Sequence, residues 1–105
     1  MDCITVLCTV PDAEAAERIA SAVVEEKAAA CASIIPSLTS VYRWKGEICR
    51  SQELLLVMKT KRELFPALQT VILSHHPYEL PEIVAFDITE GYHPYLEWIG
   101  ASTLL

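Results

Sequence analysis

Apolar and polar positions alternate between two rhythms along this chain. Residues 3 to 10 (Cys-Ile-Thr-Val-Leu-Cys-Thr-Val) are apolar and β-branched almost without a break, which predicts a strand. Pro11-Asp12 ends it, and Asp12 can cap a following helix whose early Glu14 and Glu17 suit the N-terminal dipole. Ala13, Ala16, Ile19, Ala20, Val23 and Val24 then recur at helical spacing, with Glu14, Glu17, Arg18, Glu25 and Glu26 largely on the opposite face. Strand character returns over residues 30 to 44, where Pro36 predicts a bulge, a bend or an edge position. Lys45-Gly46 marks a tight turn, and residues 47 to 59 run back as the second arm of a hairpin. Thr60-Lys61-Arg62-Glu63 fits a capping box for a helix over residues 61 to 74, striped by Leu64, Leu68, Val71 and Ile72. Pro66 is tolerable there because it falls in the first turns. Residues 83 to 88 predict the last core strand, and 92 to 99 a short terminal helix.

The order β-α-β-β-α-β plus a short helix is the split β-α-β pattern, so the predicted class is α+β, ferredoxin-like. At 105 residues the chain reads as one domain, 1–105. Two helices cover one face of a four-stranded sheet. Yet Ile4 to Cys8, Leu54 to Met58 and Ile83 to Phe86 are near-continuous apolar runs, the pattern of strands buried on both faces. The composition is 52% hydrophobic, high for a small monomer. Both observations predict that the second face packs on another copy of the chain.

Charge narrows the partners. The formal net charge is -6, with only eight Lys and Arg, so the footprint of a nucleic-acid or anionic-membrane binder is missing. Such a field favours cations. No apolar stretch approaches the roughly 20 residues that span a membrane, and no signal peptide is visible, so the expected compartment is the cytosol. The four cysteines (Cys3, Cys8, Cys31, Cys49) form no C-x-x-C pair and read as reduced thiols.

Candidate chemistry concentrates in Ser74-His75-His76-Pro77-Tyr78-Glu79-Leu80-Pro81-Glu82. Imidazole is a ligand for copper, zinc and nickel, and a thiolate favours softer ions such as Cu(I). His75 falls at the last helical turn, whereas Pro77 pushes His76 toward extended backbone. Neighbours in unlike conformations do not easily chelate one ion, so the competing reading is a histidine-stabilised helix end. Cys8 shares a strand face with Ile4 and Val6, and its competing reading is a core thiol. Cys31 reads as core and Cys49 as the most accessible thiol. Glu79 and Glu82 read as solvated loop charges. Tyr42 and Trp44, on one strand face, could line a pocket or pack on a neighbouring subunit. Tyr92, His93, Tyr95 and Trp98 read as a docking helix. Phosphate-cradling glycine motifs, H-E-x-x-H and G-x-S-x-G are absent, and no nucleophile–base–orienter set is visible; the chain is expected not to be an enzyme.

Taken together, several segments resemble the CutA divalent-cation-tolerance family. They are Leu7-Cys8-Thr9 with Pro11-Asp12, the run Lys27 to Pro36, the run Ser40 to Ile48, the run Glu53 to Thr60, the run His76 to Ile83, and Tyr95 to Ile99. Their joint order covers nearly the whole chain. The resemblance implies a ferredoxin-like protomer in a tight homotrimer, similar in assembly to PII signalling proteins. It implies divalent-cation tolerance, notably of copper, with Cys8, His75 and His76 as the copper ligands. The alternative it leaves open is a PII-like trimer that binds a small molecule or protein partner at subunit clefts.

Overall fold

The computed structural model describes residues 2–104; Met1 and Leu105, included in the single-domain reading, lie outside the described residues. The elements are β1 (Cys3–Val10), α1 (Ala13–Glu25), β2 (Cys31–Trp44), β3 (Glu47–Lys61), a 3-10 turn (Arg62–Leu64), α2 (Phe65–His75), β4 (Val84–Asp87) and α3 (His93–Ala101). They build one antiparallel sheet in the order β2-β3-β1-β4. Thus β3 lies between β1 and β2, the two strands that α1 connects.

Local chemistry sets most boundaries. Asp12 caps α1, its carboxylate accepting from the Ala15 N–H at 2.8 Å. The other end of α1 closes as a Schellman motif: the Ala28 N–H donates to the Val23 carbonyl and the Lys27 N–H to the Val24 carbonyl, both at 3.0 Å. Lys27 holds the left-handed position of that motif, φ 60°. Lys45 (φ 51°) and Gly46 (φ 82°) form the hairpin turn with both residues left-handed, which matches the twist of the strands. The predicted irregularity at Pro36 is a register shift between Ile35 and Leu38.

Several expectations are corrected. The capping box does not form, because β3 continues to Lys61 and Thr60 is a buried strand residue. Its hydroxyl donates to the Ala28 carbonyl at 2.7 Å, and the turn at Arg62 has no side-chain cap. Strand β4 is not a core strand of the protomer: all four of its residues are exposed, with Val84 and Phe86 42% and 57% accessible. Helix α3 docks through Leu96 and Ile99 beside Cys3, Ala30 and Ile88, while Tyr92, Tyr95 and Trp98 face outward. Aromatic type misled there; position on the helix decided.

Helices α1 and α2 cover one sheet face. Ile19, Val23, Leu68 and Ile72 pack against Val6, Cys8, Leu56 and Met58, all fully buried. Each large side chain removed from water in this way contributes about 1.5–3 kcal/mol. On the other face, α3 covers only the end near Cys3 and Cys31. Cys31 is therefore half-buried rather than core, with its sulfur 3.7 Å from the Tyr95 hydroxyl. Beyond Val10, which pairs with Leu54, β2 and β3 continue as an arm that pairs only with itself. The arm stretches the molecule to 44 × 25 × 22 Å. The radius of gyration is 14.2 Å, against about 13 Å for a compact chain of this length.

Candidate functional site

The C-terminal end of β1 and the loop after α2 meet at His76. Pro77 excludes His76 from helical backbone, and it takes φ −86°, ψ 133°. Its ring turns back onto β1, where Nε2 lies 2.8 Å from the Thr9 carbonyl. The Tyr78 N–H donates to Nδ1 at 3.1 Å. A carbonyl only accepts and an amide N–H only donates, so these partners assign the proton to Nε2 and engage both ring nitrogens.

His75 ends α2, as its position predicted. Its carbonyl, otherwise an orphan of the helix end, accepts the Arg18 guanidinium through Nε at 3.3 Å and Nη2 at 3.1 Å. The half-buried His75 ring makes no hydrogen bond among the described residues. Cys8 points into the core on the same face as Val6, with its sulfur 3.7 Å from the Thr9 carbonyl. Burial, aided by the negative charges of Glu82 and Glu53, pushes this thiol up to about 12.

His76 therefore sits at Thr9, one residue from Cys8, while His75 is turned toward the α1–α2 seam through its carbonyl. The donor types suit copper. The arrangement is not a finished chelate: among the described residues no three His, Cys, Asp or Glu side chains converge as a ligand set. A metal drawing on Cys8 and His76 would have to replace a thiol proton and one hydrogen bond of the His76 ring.

The same loop builds one wall of a cleft of about 670 Å³, and the hairpin arm builds the other. Tyr42 and Trp44 line the arm side; Tyr78, Glu79 and Glu82 line the loop side. Glu53 lies at the wall between them, 6% accessible. Its Oε2 accepts from the Tyr78 hydroxyl at 2.5 Å. Burial and this bond raise the Tyr78 hydroxyl well above its usual range. Tyr78 also packs on His76, ring centroids 4.8 Å apart, so the Thr9–His76–Tyr78–Glu53 chain ties the loop to both central strands. Tyr42 is fixed by a 2.8 Å hydrogen bond between its hydroxyl and Ser51. The pocket reading of Tyr42 and Trp44 thus acquires a second wall. Glu79 and Glu82 are exposed, as solvated loop charges should be. Sequence reasoning missed Glu53, although a carboxylate opening an apolar strand run was a signal available to it.

Comparison with known proteins places this geometry. The family profile described as "CutA1 divalent ion tolerance protein" matches residues 4–102. The divalent-cation tolerance protein CutA of Thermus thermophilus is 52% identical over 98 residues, which cover 93% of this chain and 95% of that protein. Human protein CutA is 45% identical over 95 residues, covering 90% of this chain; the chain spans about half (53%) of that longer relative. The crystal structure of CutA1 from Oryza sativa superposes with a TM-score of 0.96 at 40% identity, covering 99% of this chain and 95% of that one. With the match running through β1, the hairpin, the 76–82 loop and α3, the chain belongs to the CutA1 divalent ion tolerance family.

Proposed function

We propose that this chain is a cytosolic, non-enzymatic protein of divalent-cation tolerance. It works as a homotrimer of ferredoxin-like protomers and takes copper through Cys8, His75 and His76. Membership of the divalent ion tolerance family supports the cation role. The observation that carries the metal reading is the seat of His76 on Thr9, which brings an imidazole to the residue next to Cys8. The net charge of -6 favours the approach of cations. Because His76 is engaged at both nitrogens and Cys8 is buried, copper binding requires the 76–82 loop to loosen from β1. The assembly reading rests on the uncovered apolar sheet face and the protruding arm.

Copper titration of the wild type and of the His75→Ala/His76→Ala double variant tests the ligand assignment. Lower stoichiometry or weaker binding in the variant is the result this reading requires. Equal stoichiometry and affinity in both would sink it.

A second reading is favoured by the cleft: a PII-like trimer whose ligand is a small molecule or protein partner at the subunit boundaries. Glu53, buried at a wall lined with tyrosines, gives that cleft a defined polar anchor. A thermal-shift screen on metal-free protein tests it, since a specific ligand raises the melting temperature by mass action.

A further inference from the structure

We propose that the cleft between the hairpin arm and the 76–82 loop binds a small organic cation, an amine on a planar apolar body, with Glu53 as its counter-ion. The proposal rests on the reading of this cleft as a small-molecule site. Three observations carry it. Glu53 is 6% accessible yet lines the cleft, and among the described residues only its Oε2 has a hydrogen-bond partner, the Tyr78 hydroxyl. Its Oε1 is left to receive a donor, and an ammonium supplies one together with the opposite charge. The walls are aromatic: Tyr78 bonds to Glu53, Tyr42 and Trp44 line the same cleft, and the rings of such walls attract cations across their faces. The Trp44 ring already does this with Lys45, whose Nζ lies 5.6 Å from the ring centroid.

Charge selects the same class. Among the described residues, Glu53, Glu79 and Glu82 line the cleft against Arg43, with Lys45 beside the Trp44 wall, so an anionic ligand still meets more negative than positive charge. A bare divalent metal is disfavoured in another way, because no three of the described carboxylate, histidine or cysteine side chains converge to hold one. At about 670 Å³ the cleft falls in the range of small-molecule sites.

Calorimetric titration of the full chain with benzylamine, benzoate and benzyl alcohol at pH 7 tests the proposal. Benzylamine binds saturably, once per protomer, and at least about tenfold tighter than the other two, as expected for a desolvated charge pair. Glu53→Gln keeps an acceptor for Tyr78 but removes the charge, and weakens benzylamine by about tenfold or more. Tyr42→Ala, at a 42% accessible residue with no role in the core, weakens it as well and keeps the test decisive should Glu53→Gln fold poorly. Benzoate or benzyl alcohol binding as tightly as benzylamine, or unchanged affinity in a folded Glu53→Gln or in Tyr42→Ala, overturns the organic-cation class while the cleft stands as a ligand site. Displacement of benzylamine by millimolar Mg²⁺ overturns it in favour of a metal. Saturable binding of none of the three probes overturns both the class and the small-molecule reading of the cleft.

Discussion

Cys8 shows how one residue can carry two meanings. Its apolar strand face predicted a core thiol, and the family resemblance made it a copper ligand. The fold buries it completely under α1 and α2, one residue from the Thr9 carbonyl that holds His76. Burial raises the thiol from an ordinary 9.0 to about 12. The sign of the linkage follows. The folded chain keeps this proton where the unfolded chain has lost it, so the contribution is constant below pH 9 and is lost as pH rises toward 12. Stability should fall by up to about 1.4 kcal/mol per pH unit in that window from Cys8 alone. Cys3 and Tyr78, also raised, act in the same direction. Urea unfolding of wild type and Cys8→Ala between pH 8 and 11 checks this. A slope that is identical in the two proteins would remove Cys8 from the account.

Among elements, α1 and the Thr60 segment separate what local pattern can decide from what it cannot. The Asp12 cap formed as predicted and the α1 stripe formed in part, because both depend on neighbours in sequence: Ala16, Ile19 and Val23 are buried, joined by Ala15, whereas Ala13 and Val24 are exposed. The capping box at Thr60 obeyed the same local rules and did not form. Thr60 is held instead by pairing with Ile4 and by the Ala28 carbonyl, 32 positions away. The C-terminus of α1 gave no glycine to read; Lys27 occupies the left-handed position that usually takes one. Lys27→Gly should therefore stabilise the protein by several tenths to about 1 kcal/mol, since glycine adopts this backbone without strain. Thermal and urea denaturation measure it, and a destabilised variant would show that Lys27 makes compensating contacts. Its own carbonyl, which accepts the Leu104 N–H at 2.9 Å, survives the change.

At the scale of the molecule, the sheet has one finished face and one unfinished one. Leu7, Ile35, Val84 and Phe86 lie on the side away from α1 and α2, and α3 covers only one end of it. Ile35 and Phe86 are 48% and 57% accessible, large apolar groups that single protomers do not ordinarily leave in a contiguous patch. The arm adds Val41 and Ile48, both exposed. If copies of the chain close this face, sedimentation gives a species three times the 11.7 kDa protomer. Placing charges there, Val84→Asp/Phe86→Asp, should then yield monomers that remain folded, because neither side chain belongs to the α1–α2 core. A wild-type monomer, or an undisturbed oligomer in the variant, would count against assembly through this face.

By itself the sequence determined the element order, the hairpin turn, the α1 cap, the Pro36 irregularity and the unlike backbones of His75 and His76. These depend on periodicity, on proline and glycine geometry, and on side chains reaching their own backbone. It also carried the excess apolar surface that one protomer leaves uncovered. Only the tertiary structure decided that Thr60 extends a strand, that β4 is exposed, and that α3 docks by Leu96 and Ile99. It also decided that Glu53, 25 positions from Tyr78, anchors the 76–82 loop and faces a cleft. Those outcomes turn on which distant segments exclude water from one another, and that competition is settled by packing the whole chain.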